Sequence, residues 1–220
     1  MTQPFYLAIE GVIGVGKTTL ARMLQPRLGG TLVLEAFDEN PFLPKFYQDP
    51  ERYAFQTQLF FLLSRYRQHQ AIQTHLAQGH AVISDYIFAK DPLFAQLTLQ
   101  GDELDMYRRV YEVLAERVPR PTLIVYLRAS PDTLMYRIAL RDRPYERNMP
   151  RSYIEALAQA YDELFTQPWD IPVLTIDTDP LDFVAVDGHL DLIEDQIRRA
   201  LGLAPYQPLL PLGEDGDSRA

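Results

Sequence analysis

Residues 11–18 read Gly11-Val12-Ile13-Gly14-Val15-Gly16-Lys17-Thr18 and match the pattern G-x-x-x-x-G-K-[ST] at every fixed position. An apolar run, residues 5–9, precedes them, and a helix-like run, residues 19–24, follows them. A strand, a glycine loop and a helix in this order turn backbone N–H groups toward phosphate oxygens, and the helix N-terminus adds partial positive charge. The stretch therefore predicts a nucleotide phosphate site in an α/β fold.

The side chains of this loop have separate expected roles. Lys17 can reach the β- and γ-phosphates, and Thr18 can offer its hydroxyl to Mg²⁺. The backbone from Gly11 to Thr19 is expected to hold the phosphates. The alternative is a glycine-rich turn with no ligand, which the strand–loop–helix context argues against.

Composition narrows the class of protein. The chain has 220 residues, 47% of them hydrophobic and 23% charged, and a net charge of −9. The acidic balance argues against a nucleic-acid polymer as partner, whereas a local basic pocket suffices for a mononucleotide or nucleoside. There is no cysteine, so disulfides, thiolate zinc sites and cysteine nucleophiles are excluded, and a reducing cytoplasm is the expected location. No segment is apolar enough for a membrane partner.

Five short apolar, β-branched runs alternate with helical stretches. Runs that are apolar on both faces are typical of buried parallel strands, and the alternation predicts a three-layer α/β domain with helices on both faces of a central five-stranded parallel sheet. A single domain is expected over residues 1–203, followed by a disordered acidic tail over 204–220. The predicted strands are 6–10, 31–35, 81–85, 122–127 and 172–177, and the longest predicted helix is 50–78.

The second and third predicted strands each end in a carboxylate at the edge where a ligand is expected. Glu35 closes the second and Asp85 closes the third. Ligands of such sheets bind at the carboxyl ends of the strands, so Asp85 is a candidate Mg²⁺ ligand and Glu35 a candidate acceptor of a hydroxyl proton. The alternative for each is a solvated carboxylate at a strand end.

Basic and polar side chains also recur at helical spacing. Gln58 and Arg65 share a face of the long helix beside Phe55 and Phe61, where an amide and a guanidinium could bind a planar base. The alternative is the wet side of an apolar helix. A second, cationic segment could stabilise phosphoryl charge or pair with its acidic neighbours on the surface; it contains Arg137, Arg141, Arg143 and Arg147.

The histidines show no metal-binding spacing, and we expect them at the surface or at helix ends. They are His69, His75, His80 and His189.

Together these features resemble the deoxynucleoside kinase family, over about residues 6–183. The motifs that carry the resemblance are the loop 11–18, Leu-Glu-Ala-Phe-Asp-Glu-Asn-Pro-Phe-Leu at 34–43, Tyr-Gln-Asp-Pro-Glu-Arg-Tyr-Ala-Phe at 47–55, Gln58, Ser64-Arg65, and Arg-Asp-Arg-Pro-Tyr-Glu at 141–146. The last of these is similar to the family's arginine-rich lid. The resemblance implies a P-loop kinase fold.

The resemblance also implies roles for the matching positions. Glu35 would be the general base on the substrate 5′-hydroxyl, and Gln58 would hydrogen-bond the base. Tyr47 and Glu146 would meet at the sugar 3′-hydroxyl. The charged pair for the outer edge of the base would be Arg65 and Asp91, and the donor phosphates would be clamped by Arg137, Arg141 and Arg143. The catalytic set would be Glu35, Lys17, Arg137 and Arg141.

One position departs from the family pattern. Many members carry an acid-Arg-Ser motif after the third strand, whereas this chain reads Asp85-Tyr86-Ile87. Lys90 would supply the missing charge near the 5′-hydroxyl, with less directional binding than arginine. The alternative is that Lys90 and Asp91 are surface residues of a loop.

The implied activity is ATP- and Mg²⁺-dependent phosphorylation of a deoxynucleoside 5′-hydroxyl by a homodimer in nucleotide salvage. Purine deoxynucleosides are favoured, with deoxycytidine as a third candidate. A thymidylate kinase-like enzyme is the nearest alternative, although Glu35 would repel its acceptor phosphate. A nucleotide-dependent switch is the other alternative, although the chain has no Asn-Lys-x-Asp guanine motif.

Overall fold

The computed structural model describes residues 4–205. Its strands form one parallel sheet in the order β2-β3-β1-β4-β5. The strands are β1 (Tyr6–Gly11), β2 (Thr31–Val33), β3 (Val82–Ser84), β4 (Leu123–Arg128) and β5 (Val173–Asp177). The predicted five-stranded parallel sheet is confirmed.

Eight α-helices lie between and after these strands in the described range. They are α1 (Lys17–Leu28), α2 (Leu43–Gln48), α3 (Pro50–Ala77), α4 (Asp91–Thr98), α5 (Gly101–Ala115), α6 (Pro131–Arg141), α7 (Arg151–Thr166) and α8 (Asp187–Ala200). Short 3₁₀ helices cover Phe37–Glu39, Phe88–Lys90 and Pro144–Glu146. None of the helices between residues 4 and 205 combines the length and the apolar character needed to cross a bilayer.

The sheet is covered on both faces, as the side chains of β1 show, because they point alternately to one face and the other. Leu7 and Ile9 pack into a core with α1, α6, α7 and α8, whereas Tyr6 and Ala8 pack into a second core with α3. Successive side chains of a strand point to opposite faces, so a strand buried on both sides must be apolar throughout. A third apolar cluster lies among helices α2 to α5 and supports one end of the site described below.

The second strand is shorter than the sequence suggests. It was expected to reach Glu35, but β2 ends at Val33. The chain leaves the sheet there because the Glu35 amide donates to the Asp85 carboxylate (2.7 Å), a bond that an in-register strand would not form. The long helix α3 agrees with its predicted range within one residue; Asp49 caps its start by accepting from the Arg52 amide, and Pro50 occupies its first position. The predicted acidic tail lies, from residue 206 onward, outside the described residues.

Candidate active site

The glycine loop joins the central strand β1 to α1. Gly14 and Gly16 have φ angles of +89° and +104°, which side chains rarely adopt. A Cβ at Gly16 would also meet the Phe183 ring at 2.9 Å. No side chain caps the start of α1, and its first turn carries no acid. The loop therefore leaves the helix N-terminus open for an anion.

Lys17 lies folded back over this loop. Its Nζ donates to the carbonyls of Gly11 (2.6 Å) and Val12 (3.2 Å). Burial lowers the pKa of Lys17 to about 8, although the nearby Glu10 carboxylate raises it. An anion entering the loop would restore the preference of Lys17 for its charged form.

Asp85 connects the loop to the segment after β2. Its Oδ2 accepts from the Thr18 hydroxyl (2.5 Å), and its Oδ1 accepts from the Glu35 amide. A hydroxyl and a carboxylate side by side are the hard oxygen ligands that Mg²⁺ uses together with phosphates and water. Within residues 4–205 no cluster of three or more His, Cys, Asp or Glu could hold a metal by itself, so phosphate oxygens would have to complete the coordination.

Glu35 lies between two cations. Arg65 donates to its Oε1 through Nε (2.8 Å), and Lys90 donates to its Oε2 (2.8 Å). Burial alone would raise the pKa of Glu35, but Arg65 and Lys90 outweigh burial and hold this pKa well below its usual range. Lys90 is buried, so its alternative reading as a surface residue is wrong.

The far end of the site is formed by α3 and α4. Arg65 forms an ion pair with the buried Asp91, which is therefore not a surface residue either. Gln58 is also buried and donates to the Thr98 hydroxyl (3.2 Å). The Arg65 guanidinium lies over the Phe61 ring, 4.7 Å from its centre. This end of the site therefore presents the polar groups of Gln58 and Arg65 among apolar and aromatic side chains.

The lid residues approach from the other side. Glu146 is buried and accepts from Arg141 (2.6 Å) and Arg143 (3.4 Å). Tyr145 stacks on Tyr47 with ring centres 5.8 Å apart. Burial raises the pKa of Tyr47 well above its ordinary value, with smaller contributions from neighbours that include Glu146, so its hydroxyl remains a donor at neutral pH.

Arg137 lies beside the glycine loop but does not line the cavity described below. Its guanidinium donates to the Val15 carbonyl (3.2 Å), to the hydroxyl and carbonyl of Thr178, and to the Leu181 carbonyl (3.2 Å). These bonds tie the glycine loop to the segment after β5. Its predicted contact with donor phosphates stays a prediction. Arg147 pairs with Asp142 at the surface.

Most of these groups line one cavity of about 310 Å³. Most of the predicted residues line it: Ile13, Gly14, Gly16, Lys17, Thr18, Thr19, Glu35, Tyr47, Gln58, Arg65, Asp85, Lys90, Arg141, Arg143 and Glu146. The predicted residues outside its lining are Gly11, Val12, Val15, Asp91 and Arg137. Sequence reasoning missed part of the wall, namely Phe37, Leu43, Phe46, Thr57, Phe94 and Tyr153. Phe37 and Leu43 lie in the quoted motif 34–43 but were given no role there, and only packing against the site reveals the other four.

Glu10 is a buried carboxylate that sequence reasoning also missed. It is 0% exposed and accepts from the Gly11 amide, the Ile87 amide and the Tyr161 hydroxyl, each at 2.9 Å. It thereby connects the first residue of the glycine loop to the segment that carries Lys90. The available signal was an acid at the end of the predicted strand 6–10, directly before the glycine loop.

A phosphate-binding loop, an ionised carboxylate between two cations and a pocket beyond it define a P-loop phosphotransferase acting on a small acceptor. The sequence model of the family "Deoxynucleoside kinase" matches residues 7–201. The chain belongs to the deoxynucleoside kinase family and is a kinase that takes its phosphoryl group from a nucleotide.

Individual relatives agree with this assignment. The chain is 38% identical over 205 residues to a deoxyguanosine kinase of Bacillus subtilis (strain 168), covering 91% of this chain and 99% of the relative. It is 31% identical over 198 residues to a deoxyadenosine/deoxycytidine kinase of the same organism, covering 87% and 90%. A solved structure of deoxyadenosine kinase from M. mycoides with bound dCTP has a TM-score of 0.76 at 26% identity, covering 88% of this chain and 99% of that one.

Proposed function

We propose that this kinase transfers the γ-phosphoryl group of ATP to the 5′-hydroxyl of a purine 2′-deoxynucleoside. The observation that carries the proposal is the position of Glu35. Its backbone amide is bonded to Asp85 at the phosphate end of the cavity, and its carboxylate is bonded to Arg65 at the base end. A hydroxyl beside Glu35 would therefore belong to a molecule that extends from the phosphates toward Gln58 and Arg65.

The donor half uses the glycine loop. ATP would place its β- and γ-phosphates against the backbone of residues 11–19 and Lys17, with Mg²⁺ at Thr18 and Asp85. Mg²⁺ would neutralise phosphate charge, and the protein would supply two oxygens next to the loop (2.5 Å apart). Arg141 and Arg143 lie on the cavity wall and would add positive charge from the lid.

In the transfer step the 5′-oxygen forms a bond to the γ-phosphorus while the bond to the β-phosphate oxygen breaks and ADP leaves. The proton of the hydroxyl passes to Glu35. Because the pKa of Glu35 is low, this carboxylate is fully ionised at neutral pH, and its main task is to orient the hydroxyl before accepting its proton late in the step. Lys90, bonded to the same carboxylate, would stabilise the charge on the transferring group.

The sugar and base are bound by the other half of the cavity. Tyr47 and Glu146 line the wall where a 3′-hydroxyl would need a donor and an acceptor. Gln58 offers an amide donor and acceptor to the base, and Asp91 holds the Arg65 guanidinium in place. A guanidinium fork suits the oxygen and nitrogen acceptors of guanine. An amino- or oxo-bearing base is also supported by the relatives, which are named deoxyguanosine kinase and deoxyadenosine/deoxycytidine kinase.

An acceptor panel tests the proposal. ATP·Mg²⁺ is offered with deoxyguanosine, deoxyadenosine, deoxycytidine, thymidine and dTMP, and ADP and the monophosphate are measured together. We expect the highest kcat/KM with a purine deoxynucleoside and little activity in a matched Glu35→Gln variant. Phosphorylation of dTMP alone would support the thymidylate kinase-like alternative, and ATP hydrolysis without a phosphorylated acceptor would support the switch.

The assembly and location are also part of the proposal. Apolar side chains project from α3 and α5, including Leu63 (46% exposed), Met106 (57%) and Val113 (61%). Met106 and Val113 are seven residues apart and share a helix face, which suits pairing of two copies through long helices. A cytoplasmic homodimer is the proposed state. Light scattering should give twice the 25.3 kDa chain mass, and one chain mass for Met106→Lys/Val113→Lys.

A further inference from the structure

The guanidinium of the lid residue Arg143 lies over the ring of Phe37. The guanidinium carbon is 3.9 Å from the centre of the ring. Both side chains line the active-site cavity, and the function proposed above gives Arg143 a role at the donor phosphates but Phe37 none. A cation at this distance is attracted by the negative face of an aromatic ring. The contact therefore joins the lid to the segment that follows Glu35.

The short turn that carries Phe37 is fixed at both ends. Before it, the Glu35 amide donates to the Asp85 carboxylate (2.7 Å). After it, the buried side chain of Asn40 donates to the Thr57 carbonyl on α3 (3.1 Å). Because these bonds restrict the backbone on either side, the ring has a defined position in the cavity wall.

The ring holds the guanidinium without using its N–H groups. Nη1 of Arg143 makes one long hydrogen bond, to Glu146 (3.4 Å), and Nε and Nη2 donate to no residue between 4 and 205. The Arg143 side chain is 28% exposed, so these donors are not enclosed by protein. A carboxylate in place of the ring would occupy the donors, whereas an aromatic face leaves them for phosphate oxygens.

We propose that Phe37 is a positioning residue, whose ring holds Arg143 in place for the phosphates of the donor nucleotide. The proposal rests on the proposed function, which assigns Arg143 to those phosphates. Phe37 lies two residues after Glu35, so one segment carries both the carboxylate for the acceptor hydroxyl and the ring that faces the lid. A cation that is already in place needs no reorganisation when charge develops on the transferring group.

A double-mutant cycle tests the proposal. Phe37→Leu removes the aromatic face but keeps apolar bulk, and Arg143→Met removes the cation. Two quantities are measured for the wild type, both single variants and the double variant: kcat with ATP and the best acceptor of the panel, and the Kd of Mg²⁺·β,γ-imido-ATP without acceptor. We expect Phe37→Leu to lower kcat and affinity about threefold to tenfold when Arg143 is present, and by less than about twofold in Arg143→Met.

Two further variants are the controls. Phe37→Tyr keeps the aromatic face and should stay within about twofold of the wild type in both quantities. Phe46→Leu changes another ring of the same wall, one with no arginine over it in the described chain, and its effect should be equal with and without Arg143. If Phe37→Leu does not fold, Phe37→Met gives the same comparison.

The proposal is overturned if Phe37→Leu weakens β,γ-imido-ATP binding equally with and without Arg143. It is also overturned if the loss is confined to the KM of the deoxynucleoside, because Phe37 would then be only a wall of the acceptor pocket. The affinity cycle needs no acceptor, so it decides the role of Phe37 even where the panel yields no phosphorylated deoxynucleoside. Failure of the proposed function and failure of this inference are thereby distinguished.

Discussion

Lys90 Nζ lies 2.8 Å from Glu35 Oε2, and it reaches this carboxylate from a position beyond the one where many family members carry arginine. The chain has Tyr86 at that family position, and Tyr86 is completely buried. Lys90 is delivered instead by the short 3₁₀ helix Phe88–Lys90. Lys90 would thus supply the missing charge from a different point of the backbone, with a side chain that donates as a point charge.

Replacing Lys90 with methionine should separate its charge from its bulk. We expect kcat to fall about 10²-fold, the range seen when one donor to a developing charge is removed. Lys90 lowers the pKa of Glu35 below 4.5, the ordinary pKa of this carboxyl group, so the loss of Lys90 should raise the pKa again. The acidic limb of the pH–rate profile should then move to higher pH. Lys90→Arg, which keeps the charge, is the control. An unchanged acidic limb in Lys90→Met would contradict the assigned contact.

Glu35→Gln should lose most of kcat while ADP binding stays within about twofold. The amide cannot accept the 5′-proton, yet the Asp85 bond to the residue 35 backbone amide remains, so the phosphate end is preserved. Single-turnover kinetics and ADP titration measure the two effects separately. Asp85→Asn is the informative comparison, since it should weaken Mg²⁺-dependent binding as well. Near-normal turnover in Glu35→Gln would show that Glu35 is not the proton acceptor.

The sequence predicted the sheet and the phosphate end of the site because both are local. The strands are contiguous apolar runs, and the glycine loop has fixed spacing within eight residues. The proximity of Glu35 and Asp85 was predicted by a different rule, since parallel strands bring their carboxyl ends to one edge of the sheet.

Other features depend on contacts between distant segments. The resemblance implied a phosphate contact for Arg137, which stays a prediction; the bonds of its guanidinium to Thr178 and Leu181, about forty residues along the chain, could not be read from the sequence. His69 was wrongly assigned to the surface, because its burial arises from rings on other elements, Tyr86 and Phe88. The aromatic side chains of Phe46, Phe94 and Tyr153 in the active-site wall likewise come from tertiary packing, which no spacing rule encodes.

Glu10→Gln should lower both stability and activity. A glutamine oxygen in place of Oε1 can still accept from the Gly11 amide and the Tyr161 hydroxyl, but its NH₂ group would then face the Ile87 amide, so we expect a loss of about 1–3 kcal/mol in unfolding free energy. Glu10 also raises the pKa of Lys17, so the alkaline limb of the pH–rate profile should move to lower pH. Tyr161→Phe removes one donor but keeps the carboxylate, and should destabilise without moving that limb. A Glu10→Gln enzyme with lower stability but an unchanged alkaline limb would leave Glu10 a purely structural role.

Nucleotide binding should take up protons at alkaline pH. In the free protein the pKa of Lys17 is about 8, so at pH 8.5 most molecules carry a neutral lysine. Phosphates in the loop favour the charged form of Lys17 and raise its pKa. ADP binding should therefore take up roughly half a proton or more at pH 8.5, and almost none at pH 7. Calorimetry in two buffers of different ionisation enthalpy measures the uptake at each pH. Lys17→Met should bind more weakly and show no such difference between pH 7 and 8.5. Equal uptake in the wild type and Lys17→Met would assign the proton to another group and contradict the role given to Lys17.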